Sequence, residues 1–307
     1  MYNRICEFYF FLDQEPVVGL QNEITPADQS PPLTELSAWM VRYANAWGDF
    51  LDTPESLTAE TLQTFYDSPR YNMDQYMPAP GGWQTFNQFF ARHVKPGIRP
   101  IDAPDDDSVI VSPADSTFVG VWPIDEQSQI TVKGLTWSVL ELLEGSPYRD
   151  RFEGGVFTHS FLNTTDYHRL HVPVSGTVLE SRAIQGQVYL DVRTVPVEGT
   201  DTHTLEAVRE FDAQDGTGYQ FAQARGLIVI DSPIGLVAVL PIGMAHVSSV
   251  VMTAEEGVTL RKGEEFAYFQ FGGSDHIVLF EAGANVNLTA EVGTHHNQGT
   301  RIGDARR

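Results

Sequence analysis

Cysteine and lysine are the two residue types that this sequence has least of. It contains one cysteine, Cys6, in 307 residues, which excludes an intrachain disulfide and a zinc site built on several cysteines. A chain without disulfides is typical of a reducing compartment, so we expect a cytoplasmic protein. The lysines are Lys95, Lys133 and Lys262, and none lies in a motif typical of pyridoxal enzymes. We therefore do not expect a pyridoxal enzyme.

Long hydrophobic runs are also missing. The apolar stretch at residues 5–12 is interrupted by Glu7, and it is too short and lacks the small-residue cleavage site of a signal peptide. No other segment approaches the roughly 20 apolar residues of a membrane-spanning helix. The sequence thus predicts neither a signal peptide nor a membrane span.

Basic residues are also few relative to acidic ones. The chain has 19 basic and 41 acidic residues, which gives a net charge of -22. This balance argues against a nucleic-acid partner, whose phosphates need Lys and Arg, and against stable association with anionic lipid. What the chain does have is a 42% hydrophobic composition, enough for a substantial core in one large domain with an appendage.

Three helices are predicted in the first ninety residues. Residues 1–32 carry mixed signals and are interpreted as an arm or linker. Apolar residues then recur at steps of three and four over residues 36–51, as in an amphipathic helix. Thr53, followed by Pro54 and an acidic residue, predicts the start of a second helix. A third helix is predicted from the aromatic positions Trp83, Phe86, Phe89 and Phe90.

From Val109 onward the pattern indicates a β-rich domain. Short runs of Val, Ile, Thr and aromatic residues alternate with Gly, Pro and Asp, interrupted by one helix predicted at residues 138–144. We expect residues 201–218 to form a polar surface excursion and the tail after Glu291 to be loosely held. The predicted strands are 154–161, 172–181, 187–192, 227–230, 237–240, 246–252 and 276–280.

Two histidines and a glycine-rich serine segment suggest a chain that cuts itself. In Gly272-Gly273-Ser274 the glycines permit backbone conformations in which a serine hydroxyl reaches the preceding carbonyl. That hydroxyl needs a base, and His168 and His171 are available. Their spacing places them on opposite faces of a strand or on one side of a turn, and Pro173 favours the turn.

Each of these residues also has a plainer interpretation. The two histidines alone would fit a metal site, but no acidic pair or cysteine completes one nearby, and we expect no metal. They would also fit one buried and one surface histidine. Asp115 is the best third member of a catalytic set, although taken alone it fits a turn residue after Pro113.

Five motifs, taken together and in their order along the chain, resemble those of the phosphatidylserine decarboxylase family. The resemblance spans roughly residues 83–281 and is closest to the soluble branch that decarboxylates tryptophan or other aromatic amino acids. The lipid-acting members typically have Leu-Gly-Ser followed by Thr or Ser, whereas Gly272 and Asp275 stand at the variable positions here. The motifs of the family are Phe86–Arg92 with Arg99-Pro100-Ile101, the Asp115 segment, Lys133-Gly134 with residues 140–143, Tyr167–His171, and Gly272-Gly273-Ser274. Those of the soluble branch are Phe161-Leu162-Asn163, Ile242-Gly243-Met244 and Phe271–Ser274.

The resemblance implies an α+β fold with a predominantly antiparallel β domain behind an N-terminal helical region. The expected parts are residues 1–82, an arm and helices, and residues 83–307, a decarboxylase domain self-cleaved between Gly273 and Ser274. The two resulting chains are expected to stay associated. Ser274 would become a pyruvoyl group after His171, oriented by Asp115, removes its proton.

The same resemblance implies the reaction. The new ketone would condense with a substrate amine and accept the electrons left by departing carbon dioxide. His168 would reprotonate the carbanion or bind the carboxylate. Phe161, His159, Met244 and His246 are predicted to line the substrate pocket.

Three functions remain open on this basis. The favoured one is decarboxylation of a free aromatic L-amino acid, a small-molecule substrate. The second keeps the chemistry but takes phosphatidylserine, giving phosphatidylethanolamine. The third is an unprocessed β-module without enzymatic activity. The residue that suggests it is Asp275, which stands where the lipid-acting members have Thr or Ser.

Overall fold

A computed structural model describes residues 2–132, 134–207, 218–244, 249–271 and 274–306. His246, Gly272 and Gly273 lie outside these ranges. The helices are α1 Tyr2–Leu12, α2 Glu35–Leu51, α3 Ala59–Asp67, α4 Phe86–Phe90, α5 Val139–Leu142 and α6 Tyr219–Ala222. The strands are β1 Val109–Val111, β2 Ser116–Pro123, β3 Gln129–Val132, β4 Leu135–Ser138, β5 Val156–Leu162, β6 Arg169–His171, β7 Gly176–Ile184, β8 Val192–Pro196, β9 His203–Ala207, β10 Arg225–Ser232, β11 Gly235–Gly243, β12 Val250–Met252, β13 Thr259–Leu260, β14 Glu265–Phe269, β15 Ser274–Phe280, β16 Asn287–Leu288, β17 His295–His296 and β18 Arg301–Asp304.

The N-terminal segment is more ordered than the predicted arm or linker. It contains α1, whose Cys6, Tyr9 and Leu12 recur at every third position and are buried in the main core. The carboxylate of Asp13 follows this helix and accepts a hydrogen bond from the backbone N–H of Val192 at 3.1 Å. Tertiary packing therefore holds a helix that lacked a clear signal in the sequence.

The next helices largely follow the sequence pattern. Helix α2 is confirmed, and the Thr34 hydroxyl caps it by accepting from Ser37 N. The predicted start of the second helix at Thr53 is wrong, since a 3-10 turn intervenes and α3 begins at Ala59. Thr58 and Thr61 form a reciprocal capping box there, which satisfies two of the free N–H groups at the helix start.

An eight-stranded antiparallel sheet organises the rest of the molecule, which confirms the α+β class. Its strand order is β13-β7-β10-β11-β15-β5-β2-β17. Smaller sheets are β1-β18-β16, β12-β14-β6, β3-β4 and β8-β9. Both faces of the large sheet are covered: Val278 and Phe280 of β15 pack in one apolar cluster, whereas Ile277 and Leu279 pack in another. Strand β11 is buried and apolar along its length, and β15 is apolar from Ile277 to Phe280, because both faces of these strands are buried.

The strand predictions have mixed outcomes. The cores of β5, β7, β10, β11 and β15 are confirmed. Most of residues 187–192 is not a strand, since Gln187 makes an isolated bridge to Gln223 and strand β8 begins at Val192. The tail is not loosely held, because β18 pairs with β1 and β17 with β2. Within the described ranges, no helix is both long and apolar enough to cross a membrane.

Candidate active site

The predicted cleavage position begins a central strand of the large sheet. Ser274 is the first residue of β15, and its backbone pairs with Gly243 of β11 on one side and Leu162 of β5 on the other. The preceding Gly273 lies outside the described residues. The backbone at Ser274 is thus paired with a neighbouring strand on each side, and this pairing does not depend on the peptide bond that precedes Ser274.

His168 lies in an apolar environment near this strand. It is 1% exposed, and its ring stacks on Phe90 with centroids 4.1 Å apart. Burial, and next the positive charge of Arg92, lowers the pKa of His168 to about 3, although hydrogen bonds with the backbone of Asn163 and Thr164 oppose this. The imidazole is therefore neutral near pH 7 and can exchange a proton without leaving a stable charge in the site.

His171 is oriented by two groups that the sequence interpretation missed. Its Nδ1 lies 2.8 Å from the carbonyl oxygen of Gly263 and its Nε2 lies 3.3 Å from the Tyr167 hydroxyl. Because a carbonyl only accepts, the proton belongs on Nδ1, and Nε2 keeps a lone pair. Burial lowers the pKa of His171 to about 4, so this nitrogen is available as a base at neutral pH.

The two histidines do not share one side of a turn, as Pro173 had suggested. Residues Arg169–His171 form β6, which pairs with β14. A strand alternates its side chains between faces, and His168, directly before the strand, occupies a different environment from His171. The physical reason is the backbone pairing to β14, which extends a segment that local sequence alone would allow to turn.

Asp115 is buried, but its carboxylate does not orient His171 by direct contact as expected. It accepts from Arg99 Nε at 2.8 and 3.0 Å and from Arg99 Nη2 at 2.5 Å. The backbone N–H of Gln298 donates to it at 2.8 Å. The two-pronged guanidinium fits the two carboxylate oxygens, so Asp115 is committed to Arg99, and its negative charge acts on the pKa of His171 only through space.

The residue after the cleavage position belongs to a buried polar cluster. The Asp275 carboxylate accepts from the Tyr219 hydroxyl at 2.5 Å and from Gln220 Nε2 at 3.4 Å. Its Oδ2 also lies 3.3 Å from His159 Nε2. Asp275 faces the opposite side of the sheet from the next residue, His276. The replacement of a hydroxyl residue by Asp275 is thus accommodated by specific partners.

The predicted substrate-pocket residues are dispersed. His159 is fully buried and belongs to the Asp275 cluster. Phe161 pairs across the sheet with Asp275 and Thr117. Met244 is buried directly after β11, and His246 lies outside the described residues. The substrate-binding roles of all four residues remain predictions.

An aromatic cavity of about 540 Å³ adjoins His168. Phe90 belongs to its wall and stacks on His168. Asn163 also lines it, directly after Leu162, the strand partner of Ser274. The aromatic and charged side chains of the wall that matter below are Phe65, Phe86, Phe89, Phe90, Phe271 and Arg92. The size and apolar lining are those of small-molecule sites, and no local pattern in the sequence predicts that Phe65 and Phe271 line one cavity.

Comparison with known proteins places the chain among decarboxylases. The family model described as phosphatidylserine decarboxylase matches residues 86–304. Phosphatidylserine decarboxylase proenzyme 3 of Schizosaccharomyces pombe is 35% identical over 260 residues, 82% of this chain but 25% of that relative. The chain therefore spans about a quarter of the length of that protein.

Two further relatives are covered over most of their length. Phosphatidylserine decarboxylase proenzyme of Clostridium perfringens is 29% identical over 285 residues, 92% of this chain and 88% of the relative. Decarboxylase iboD of Amanita muscaria is 28% identical over 271 residues, 81% of this chain and 77% of the relative. The region that the family model matches contains the histidine pair, the Asp115 segment and the predicted cleavage position.

Proposed function

Because the chain belongs to the phosphatidylserine decarboxylase family, we propose that it is a self-processing, pyruvoyl-dependent decarboxylase of a free aromatic L-amino acid. Members of this family are carboxy-lyases made as proenzymes, with a pyruvoyl group formed from a serine after self-cleavage. The family expected from the ordered motifs is thereby confirmed, and the enzyme class comes to this chain as part of the proposal. The residue roles and the substrate are its other parts.

Cleavage begins at Ser274 with His171 as the base. The Nε2 lone pair takes the hydroxyl proton while the Gly263 carbonyl holds the ring by Nδ1–H. The serine oxygen attacks the Gly273 carbonyl carbon and the peptide C–N bond breaks, while the proton held by His171 passes to the departing nitrogen, which becomes a free amine. Elimination then breaks the ester C–O bond and the serine Cα–H bond, and hydrolysis of the resulting dehydroalanine releases ammonia and leaves a ketone.

The surroundings of Ser274 fit the resulting pyruvoyl group, since its strand partner Leu162 directly precedes Asn163, which lines the apolar cavity. When present, this group supplies an electron sink for decarboxylation of an amine-bearing substrate. His168 would take a proton from the substrate ammonium and return it to the carbon that the carboxylate leaves, so that the imidazole is neutral before and after the reaction. The apolar walls would exclude water from that step.

Association of the two chains is supported by the sheet. After cleavage the short chain would begin with β15, which lies between β5 and β11 of the long chain. It would also contribute β17 and β18, which pair with β2 and β1. Backbone hydrogen bonds at three places thus hold the short chain in the core.

The single observation that carries the substrate class is the aromatic cavity beside His168. An aromatic ring gains from burial against Phe65, Phe89 and Phe271, whereas a net charge of -22 opposes approach to an anionic bilayer. The lone, buried Cys6 additionally supports a reducing, cytoplasmic location.

Phosphatidylserine is the second candidate, favoured by the names of the Schizosaccharomyces pombe and Clostridium perfringens relatives. The third candidate is a β-module that stays uncut and has no enzymatic activity.

Intact-mass analysis and an activity panel separate these functions. Wild-type protein should give a long chain ending at Gly273 and a short, ketone-bearing chain, whereas Ser274→Ala should remain whole. The processed protein should release carbon dioxide and the amine from tryptophan, tyrosine or phenylalanine in detergent-free buffer. Turnover of phosphatidylserine in vesicles without activity on these amino acids would establish the lipid function, and an uncut wild-type chain would establish the third possibility.

A further inference from the structure

Arg92 is a buried cation to which the steps above assign no role. It follows α4 and is 3% exposed, and its Nη1 donates to the Phe89 carbonyl oxygen at 3.4 Å. Its Nε and Nη2 are buried without a hydrogen-bond partner among the described residues. A guanidinium stays protonated in proteins and carries five N–H donors. Arg92 thus offers a positive charge and unused donors inside the protein.

Other arginines of the protein donate hydrogen bonds to carboxylate or main-chain oxygen atoms. Arg99 donates to the Asp115 carboxylate, and Arg169 donates to Glu265 at 2.6 Å. Arg225, which is equally buried, donates to main-chain carbonyl oxygens at 2.8 and 3.0 Å. The unused donors of Arg92 are therefore a local feature and do not reflect a general shortage of acceptors.

The neighbours of Arg92 are aromatic rings. Its guanidinium carbon lies 3.9 Å from the ring centroid of Tyr76 and 4.8 Å from that of Phe89. Cation–π attraction offsets part of the cost of removing the charge from water. The remaining cost is large for a buried ion without a counter-charge, and an anion that reached it would be held strongly.

Arg92 also lies where a substrate would be bound. It lines the aromatic cavity together with Phe90, which stacks on His168. Its charge is close enough to His168 to help lower the pKa of that imidazole. The positive charge and the apolar wall thus belong to one cavity, and the neutral imidazole of His168 stacks on Phe90, one of its lining residues.

We propose that Arg92 binds the carboxylate of the incoming amino acid while the aromatic cavity binds its ring. This assignment rests on the proposed function and specifies how its substrate is recognised. An ion pair made to the carboxylate before the reaction stabilises the bound substrate more than the transition state, in which that charge disperses. Arg92 therefore contributes to affinity, and loss of carbon dioxide removes the group that it holds.

Release of the product follows from the same geometry. The amine product carries a positive charge and no carboxylate, so the buried guanidinium repels it. Arg92→Gln should accordingly raise KM at least tenfold without lowering kcat, and it should not weaken inhibition by the product amine. A purely structural role would instead lower kcat and the fraction of cut chain together.

The direct test is calorimetric titration of the processed protein with 3-phenylpropionate. This probe has a ring and a carboxylate but no amine, so it binds without reacting with a ketone. Its neutral amide, 3-phenylpropionamide, is the matched ligand, and we expect it to bind wild-type protein at least tenfold more weakly. Arg92→Gln should remove this difference, whereas Arg92→Lys should retain part of it.

Arg70→Gln is the matched protein control. Arg70 lines the same cavity but is exposed, so solvent screens its charge and binding should weaken less than about threefold. Equal affinity of wild-type protein for the acid and the amide would overturn the proposal even if no Arg92 variant folds. Binding of glycerophosphoserine through Arg92, without binding of 3-phenylpropionate, would also overturn it and identify a phosphodiester site.

The anion site at Arg92 and the aromatic amino-acid substrate can be refuted independently of each other. Binding of 3-phenylpropionate through Arg92, in a protein that decarboxylates no aromatic amino acid, would support the anion site and refute the proposed substrate. Decarboxylation of an aromatic amino acid with an unchanged KM in Arg92→Gln would refute the anion site alone.

Discussion

Replacing Tyr219 by phenylalanine removes one hydroxyl from the cluster behind the cleavage position. That hydroxyl donates to the Asp275 carboxylate at 2.5 Å, and a carboxylate accepts stronger hydrogen bonds than a neutral oxygen does. Asp275 is 1% exposed, so water cannot readily replace the lost donor. A hydrogen bond to a charged group contributes about 1.5–3 kcal/mol, and we expect Tyr219→Phe to lower the free energy of unfolding by this amount.

Urea unfolding followed by circular dichroism measures this loss. The Ser274→Ala chain is the appropriate background, because an uncut chain unfolds as one polypeptide. A loss of about 1.5–3 kcal/mol corresponds to roughly a 10- to 150-fold change in the unfolding equilibrium. Tyr66→Phe is the control, since Tyr66 is 48% exposed and should change stability by less than about 0.5 kcal/mol.

A double-mutant cycle with Asp275→Asn tests the assigned partner. In that background the Tyr219 hydroxyl meets a neutral amide, so its removal should cost only about 0.5–1.5 kcal/mol. A Tyr219→Phe effect as small as that of the Tyr66 control would refute the reasoning. So would an equal loss with Asp275 and with Asn at that position.

Three further outcomes are expected. His171→Ala and Asp115→Asn should slow the appearance of the two fragments on gels, whereas His168→Ala should cut yet decarboxylate poorly; free cutting by His171→Ala and a block in His168→Ala would reverse the two roles. The folded-state pKa values of His171, about 4, and His168, about 3, lie below the ordinary 6.5, so the unfolded chain binds protons that the folded chain does not. The stability of Ser274→Ala protein should therefore be complete above about pH 6.5 and fall as the pH decreases towards 4, and a urea midpoint that does not change between about pH 7.5 and 5 would contradict this. The cut chains should co-elute in gel filtration and separate only in denaturant; separation in native buffer would show that the sheet does not hold them.

Local patterns in the sequence determined the elements whose signals are local. Apolar spacing predicted α2, the aromatic repeat predicted α4, and β-branched runs predicted the central strands. Helix α1 escaped prediction because its order comes from burying Cys6 and Leu12 against the rest of the core. The predicted start of α3 was wrong because Thr53 and Thr58 both fit the pattern of an N-cap residue. The capping box forms at Thr58, and the helix begins after it.

The sequence by itself determined the family and the identity of the residues proposed to react, since Ser274, His171 and Asp115 lie in ordered motifs. Only the tertiary structure decided their partners. Pairing of β6 with β14 separates the environments of the two histidines, and folding brings Arg99 to Asp115. The cavity likewise unites residues far apart in the chain. Such contacts depend on packing between distant segments, for which local periodicity and spacing carry no signal.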